Sequence, residues 1–369
     1  MKNVLVTGGA GFIGSNFVHY LLRTEPDVQI VNLDALTYAG SLENLRELPD
    51  PSRHVFIEGN IVDKALVAQV FEKYNIDTVV HFAAESHVDR SILDPGVFIE
   101  TNVVGTFVLL EAARKAWLVE KRVPKEGVRF HHVSTDEVFG ELEQEDAPFE
   151  ENTAYAPRSP YAASKASSDH FVRAYHSTYG LPISITNCSN NYGERQFPEK
   201  LIPLMILNAA SGKRLPIYGD GMNVRDWLYV DDHCEAIRRV IKEGRVGETY
   251  CVGGDNQPSN LEVVKLICKI MDEVQPDTPF GLHESLIEYV PDRPGHDRRY
   301  DIKTDKIGGE LGWEPSYSLE RGLRRTIEWY LGNHAWVEAV TQGSDYQGWL
   351  ERNYNQREID HSRERKNKA

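Results

Sequence analysis

Apolar positions in the first half of the chain follow two alternating periods. Short, nearly continuous apolar runs at residues 2–7, 28–33, 54–57, 78–82, 128–133 and 183–186 are bounded by Gly, Asp or Asn and read as buried strands. Between them apolar residues recur at helical spacing. This predicts helices over 12–22, 41–48, from a cap at Asp63 to Tyr74, over 95–117, and from Ser159-Pro160 to near Gly180. In the 95–117 helix, Ile99, Val103, Thr106, Leu110 and Ala113 form one stripe. Strands alternating with helices in this way predict an α/β fold built on a doubly wound parallel sheet.

Beyond Asn190 the alternation loosens. Helices are expected over 201–211, from Asp231 as a cap to Glu243, over 260–271, and as one aromatic segment over 319–340. Residues 214–218 and 227–230 read as short strands. No linker separates the halves. The expected division is a Rossmann-like domain over 1–190, with segments at about 227–255 returning to it, and a smaller, intimately packed C-terminal substrate domain over 191–350. Residues 352–369 are charged, lack apolar periodicity and read as a solvated tail.

A net charge of -15 argues against nucleic acid or an anionic membrane as partner. No apolar run approaches the roughly 18 residues of a membrane span, and the chain opens directly on a strand with no signal peptide. The cysteines, at 188, 234, 251 and 268, form no C-x-x-C pair. Neither a metal site nor a disulfide framework is expected, and a reduced, cytoplasmic setting fits.

The chemistry begins at Thr7-Gly8-Gly9-Ala10-Gly11-Phe12-Ile13-Gly14, between the first strand and the first helix. Glycines there allow a tight turn and bring backbone N–H groups to a pyrophosphate at the helix N-terminus. Asp34 ends the second strand, where a carboxylate accepts from a ribose 2′-hydroxyl and repels a 2′-phosphate. NAD is therefore expected rather than NADP. At the end of the fifth strand stands Ser134-Thr135-Asp136-Glu137, a hydroxyl followed by two carboxyls. Taken alone, Thr-Asp-Glu is an ordinary helix cap. Downstream, Tyr161 and Lys165 lie four apart, on one helix face. A tyrosine beside an ammonium and a positive nicotinamide is drawn toward its phenolate.

The G-x-x-G-x-x-G loop with Tyr161-Ala-Ala-Ser-Lys165 resembles the extended short-chain dehydrogenase/reductase family. Further segments are similar to its dTDP-glucose 4,6-dehydratases. They are Leu33-Asp34-Ala35-Leu36-Thr37-Tyr38-Ala39-Gly40, Ala83-Ala84-Glu85-Ser86-His87-Val88-Asp89-Arg90-Ser91, Ser189-Asn190-Asn191-Tyr192-Gly193, Phe197-Pro198-Glu199-Lys200-Leu201, Asn223-Val224-Arg225-Asp226-Trp227 and Arg293-Pro294-Gly295-His296-Asp297. Together with the loop they span most of the chain. The resemblance implies that dTDP-glucose loses water to give a 4-keto-6-deoxy sugar nucleotide, a step of deoxysugar synthesis. Tyr161 would take the O4 proton as C4 is oxidised, with Lys165 beside it. Glu137 would take the C5 proton, Asp136 would protonate the departing C6 hydroxyl, and Thr135 would bond near O4.

The resemblance also implies cofactor contacts from Gly8, Gly11, Phe12, Ile13, Gly14, Asp34, Leu36, Thr37, Asn60, Ile61, Phe82, Ala83, Ala84, Ser86, Thr101, Tyr161, Lys165 and Asn191. Substrate contacts are implied for Ser86, Thr135, Asn190, Lys200, Leu201, Pro216, Ile217, Tyr218, Arg225, Asn260, Asp292, Arg293 and His296. The nucleobase is left open between thymine and uracil. No role falls to His87, and no metal is implied. A homodimer is expected from the pairing of long helices in the family. Two positions depart from the pattern: Asn60 stands where aspartate is usual, and Glu194-Arg195 where proline and an aromatic residue are usual. The competing readings are a sugar-nucleotide epimerase or decarboxylase, and a nucleotide-sensing protein without turnover. The adjacent Asp136 and Glu137 argue against all three, because binding alone needs no acid pair.

Overall fold

The computed structural model describes residues 1–124, 127–292, 296–342 and 348. Its strands are β1 (Asn3–Thr7), β2 (Gln29–Asp34), β3 (His54–Glu58), β4 (Thr78–His81), β5 (Arg129–Thr135), β6 (Ile183–Cys188), β7 (Asn190–Tyr192), β8 (Leu215–Tyr218), β9 (Trp227–Tyr229), β10 (Thr249–Val252) and β11 (Ile287–Val290). Seven of them form one sheet in the order β10-β6-β5-β4-β1-β2-β3, with every pairing parallel. The α/β doubly wound sheet expected from the alternation is therefore present. Strand order reverses between β1 and β4, so a crevice opens beyond their carboxyl ends at Thr7 and His81.

Helices cover both faces, which is why the strands are apolar at consecutive positions. Leu5, Val31 and Val79 pack with Leu109 and Trp117 on one side. Val4, Val6 and Ile30 pack with Phe17, Leu21 and Ile237 on the other. Past β6 the chain builds a second core of Tyr192, Leu204, Ile206, Ile267, Leu323 and Trp336. The Leu201–Ala210, Asn260–Val274 and Leu319–Gly332 helices carry it, beside the small β8–β11 and β7–β9 sheets. Ser259 and Glu262 close a capping box at the start of the Asn260–Val274 helix.

The helix following β4 departs most from expectation. It runs from Pro95 to Val119, 25 residues, and is long and apolar enough by length and composition to cross a membrane. Counting unbroken apolar residues misses this, because Thr101, Asn102, Gly105 and Thr106 interrupt the run. A π-helical stretch at Ile99–Gly105 widens the turn and shifts the buried face. Ile99, expected in the stripe, is 57% exposed, whereas Phe98, Asn102 and Leu109 are buried. Other differences are local. The segment 41–48 forms only a 3₁₀ turn at Leu42–Leu45, capped by Ser41. Asp231 lies in the first turn of the Val230–Glu243 helix rather than at its cap. The aromatic segment breaks at Asn333 into Leu319–Gly332 and His334–Thr341. The expected tail lies outside the described residues.

Candidate active site

The crevice at the switch point is lined first by the glycine loop. Gly8 has φ +72°, and a Cβ there would stand 2.6 Å from the Ala83 nitrogen at the tip of β4. A Cβ on Gly14 would stand 2.2 Å from the Gly8 carbonyl oxygen. Only glycine lets the Phe12–Thr24 helix begin this close to the strand tips. Its N-terminal residues Gly11, Phe12, Ile13 and Gly14 face the cleft. Asp34 lines the same cleft, its carboxylate accepting from the Ala10 N–H (2.8 Å) and the Leu36 N–H (2.8 Å). Burial raises its pKa, and those two bonds oppose the rise. Thr37, Asn60, Ile61, Phe82, Ala83, Ala84, Ser86 and Thr101 complete this half. Leu36 does not line it; its contribution is the backbone bond to Asp34, made at φ +49°. Asn60 Oδ1 accepts from the Val62 N–H at 3.1 Å, which shapes the turn after β3. A glycine cradle that tolerates no side chain, a helix N-terminus and a strand-end carboxylate fit an NAD-type dinucleotide.

Strand β5 delivers Thr135 and Glu137 to the opposite wall, where Tyr161 and Lys165 meet them. Ser159 and Pro160 start the helix that carries the last two. The Lys165 ammonium donates to the Val133 carbonyl at 2.8 Å and is fully enclosed; burial lowers its pKa. Burial pushes the Tyr161 phenol well above its ordinary value, Glu137, Cys188 and Asp136 push it further, and the Thr135 hydroxyl opposes them. The chain's own groups thus hold the phenol protonated, a balance the sequence did not reveal. Asp136 lies behind the cleft wall, 2% exposed, with Thr135 donating to its Oδ1 at 3.2 Å. Burial raises the Asp136 pKa strongly, and Glu137 and Asp226 add to it. The two adjacent carboxyls therefore sit in unlike surroundings: one buried, where its neutral form is favoured, the other facing the cleft. Asn191, also in the cleft, is oriented by His233, whose Nδ1 is 2.8 Å from its Oδ1.

Beneath these groups lies a network that sequence reading missed. Asp169, one turn after Lys165, accepts from Ser134 Oγ (2.9 Å), Tyr155 OH (2.7 Å) and Asn187 Nδ2 (3.3 Å). Asn187 also donates to the Thr135 carbonyl at 3.0 Å, so the network fixes the backbone that presents the acid pair. The i, i+4 step from Lys165 was the available signal. Tyr38, Glu85 and Glu199 also line the cleft and were assigned no role, although all three stand in the segments quoted above. Glu199 is buried against Tyr38, and the Arg90 guanidinium lies 3.6 Å over the Tyr38 ring.

Comparison with known proteins places this geometry. The family model described as GDP-mannose 4,6 dehydratase matches residues 5–326. A dTDP-glucose 4,6-dehydratase from Shigella flexneri is 54% identical over 363 residues, covering 96% of this chain and 99% of the relative. The chain belongs to the dTDP-glucose 4,6-dehydratase family. Two solved structures of the family have the same shape. The dTDP-glucose 4,6-dehydratase of Bacillus anthracis str. Ames, crystallised with NAD, superposes with a TM-score of 0.81 at 46% identity, covering 92% of this chain and 100% of its own. That of Streptomyces venezuelae, with NAD and TYD bound, gives 0.81 at 47% identity and covers 92% and 99%.

The remaining positions implied by the dehydratase family divide into two groups. Asn190 and Lys200 line the cleft, and Lys200 Nζ donates to the Ser86 carbonyl at 3.4 Å. Leu201, Pro216, Ile217, Tyr218, Arg225, Asn260, Asp292 and His296 do not. Several gather instead around residues 296–300. Arg225 donates to the Asp297 carbonyl at 2.7 Å and lies over the Tyr300 ring. His296 bonds Asp292 at 2.7 Å and meets Tyr218 edge-on. The Asn260 N–H joins the Asn223 carbonyl at 2.9 Å. Ile217 alternates inward and is 1% exposed in the second core, so it offers no surface to a base. Arg293 lies outside the described residues. The departure at Glu194-Arg195 has a structural use. Arg195 donates to Asn16 Oδ1 (3.2 Å), and Glu194 accepts from Asn16 through its carbonyl and from Arg325 through its carboxylate. The pair thereby ties the second core to the first helix.

Proposed function

We propose that the chain is a dTDP-glucose 4,6-dehydratase with resident NAD. The observation that carries this reading is the meeting of Glu137, Tyr161 and Lys165 in the cleft of the glycine loop, with protonated Asp136 directly behind Glu137. NAD, held by the glycine loop and Asp34, would supply the hydride acceptor for oxidation at sugar C4 and the hydride donor for reduction at C6. Tyr161, protonated by the chain's own groups, would remove the O4 proton as phenolate once the positive charge of a bound nicotinamide, with the Lys165 ammonium on the same helix face, offsets that balance. Thr135 donates to O4 and steadies the charge that develops there. The C4 ketone acidifies the C5 proton, which Glu137 removes. Asp136, whose neutral form burial favours, would protonate the C6 hydroxyl as it leaves as water, a step that requires its carboxyl to turn from behind the wall into the cleft. A buried acid beside a half-buried base that lines the cleft suits elimination, whereas epimerisation needs no such pair.

Asp34 selects NAD by like-charge repulsion of a 2′-phosphate. Lys200, which lines the cleft, would meet the diphosphate, while Arg225, Asn260 and His296, which the resemblance gives to the nucleotide, lie outside the cleft lining and would reach only the nucleoside end. Residues 1–190 and about 227–255 form the cofactor domain, and 191–350 the substrate domain. The protein is a homodimer: Val97, Ile99 and Val104 on one long helix, with Phe171 on the Pro160–Tyr179 helix, are exposed and apolar. A self-complementary two-fold contact would cover them. Free, buried cysteines support a cytoplasmic location. The test is incubation with dTDP-glucose followed by product mass. Loss of one water is expected; unchanged mass with an altered sugar would point to epimerisation and refute the reading.

A further inference from the structure

The last described helix, His334–Thr341, reaches back across the molecule to the glycine loop. Trp336 is 7% exposed and packs edge-on against Trp329 (4.9 Å) and Tyr330 (5.9 Å). Its indole N–H donates to Asn44 Oδ1 at 2.7 Å, across 292 residues of sequence. Asn44 is 2% exposed, and its Nδ2 donates to the Ala10 carbonyl at 2.8 Å. The same carbonyl accepts from the Ser41 N–H at 3.0 Å, while the Ala10 N–H donates to Asp34. Ala10, at the centre of the glycine loop, is thus held through both of its backbone groups. Its N–H meets the strand-end carboxylate; its carbonyl meets the turn that ends the cleft-lining stretch from Ala35 to Gly40.

We propose that Trp336 is a positioning residue for the cofactor: through Asn44 it latches the glycine loop and slows NAD release. The inference rests on the NAD reading above. Asn44 can orient its amide in two ways, and only the one with Oδ1 toward the indole leaves Nδ2 facing Ala10. Removing the indole N–H leaves a buried carbonyl oxygen without its donor, and the carboxamide loses the bond that fixes its orientation. The Ala10 peptide then gains freedom in the bound state, where the pyrophosphate requires it fixed. A cycle that removes hydride at one carbon and restores it at another needs a dinucleotide that stays in place between the two steps, so its release rate is under direct demand.

The test compares wild-type holoenzyme with Trp336→Phe, which keeps a ring in the aromatic cluster and deletes the donor. First-order release of NAD is followed by dilution into an NAD scavenger. Melting temperature is read with NAD saturating. About tenfold faster release is expected, the ratio set by one buried hydrogen bond, with a melting-temperature loss no larger than the ~1–4 °C that one unsatisfied buried acceptor costs a chain of this length. Asn44→Ala should accelerate release by a similar factor, and the double variant should add little, since both remove one link. Release at the wild-type rate overturns the proposal. So does a melting-temperature loss beyond that range, which would mark general loosening of the fold, or additive effects in the double variant. Absence of dinucleotide from the wild-type protein refutes the NAD reading instead.

Discussion

Asp169→Asn tests whether the charge beneath the site does more than fill space. The carboxylate is fully buried and takes hydrogen bonds from Ser134, Tyr155 and Asn187. His132 Nε2 lies 3.1 Å from its other oxygen, poorly aligned for a hydrogen bond. Asparagine keeps the shape and removes the charge. Three charge-assisted bonds become neutral ones, and the enclosed Lys165 ammonium loses a nearby negative charge; the sum is about 3–5 kcal/mol. With an unfolding entropy of roughly 0.8 kcal/mol/K for 369 residues, this lowers Tm by about 4–6 °C. Burial raises the Asp169 pKa, but His132, Lys165 and Tyr155 outweigh it and hold the group below its usual value. Its stabilising contribution is therefore complete above the unfolded carboxyl pKa of about 4 and is lost as pH falls through the lower folded value. Scanning calorimetry of both proteins from pH 3 to pH 8 should give a constant difference at neutral pH that shrinks below about pH 4. Because Asp169 also raises the Lys165 pKa, the alkaline limb of the dehydration rate should move to lower pH in the variant. A difference under 1 °C at pH 7, or one that does not change with pH, would refute the reasoning.

Three further outcomes are expected. In single-turnover absorbance with dTDP-glucose, Tyr161→Phe should scarcely reduce bound NAD, whereas Glu137→Gln should accumulate NADH without losing water, its elimination slowed by about 10²–10⁴-fold; elimination at the wild-type rate would return Thr135-Asp136-Glu137 to the role of a cap. The supernatant of denatured protein should contain NAD and not NADP, and finding only NADP would contradict the role given to Asp34. Light scattering at micromolar concentration should give a dimer, and Ile99→Glu should give a monomer of unchanged circular dichroism; a dimeric variant would place the contact elsewhere.

The sheet and the glycine loop were legible because both depend on near neighbours in sequence. Consecutive apolar residues such as Val4, Leu5 and Val6 report a strand covered on both faces, and a glycine at position 8 reports a turn with positive φ. Long-range features were not legible. Thr249–Val252 joins the main sheet beside β6, yet its four residues carry no period of their own. Ile287–Val290 is a strand only because Leu215–Tyr218 lies beside it. The exposed face of the long helix could not be read from spacing, since a π-helical stretch changes the angle per residue. At the site, Tyr161 and Lys165 announced themselves by spacing. The burial that separates Asp136 from Glu137, and the support from Asp169, depend on which side chains close over them in three dimensions.

The long helix after β4 also sets a condition on how the chain is made. Its final residue, Val119, is synthesised 41 residues before Pro160 opens the helix that packs on it. At about 5–20 residues per second, a segment apolar enough for a bilayer waits roughly 2–8 s for its partner. Asn102 and Thr106 lower the apolarity of that segment, though not below what a bilayer accepts. In the finished protein Asn102 fastens the Glu85 backbone and donates to Ser164, while Thr106 meets His81. When the helix emerges, Glu85 and His81 are already made and Ser164 is not; the same amide and hydroxyl are polar groups in mid-helix that hydrocarbon penalises and water does not. Replacing both with leucine would make that segment more apolar still and would remove the side chains that fasten Glu85, Ser164 and His81.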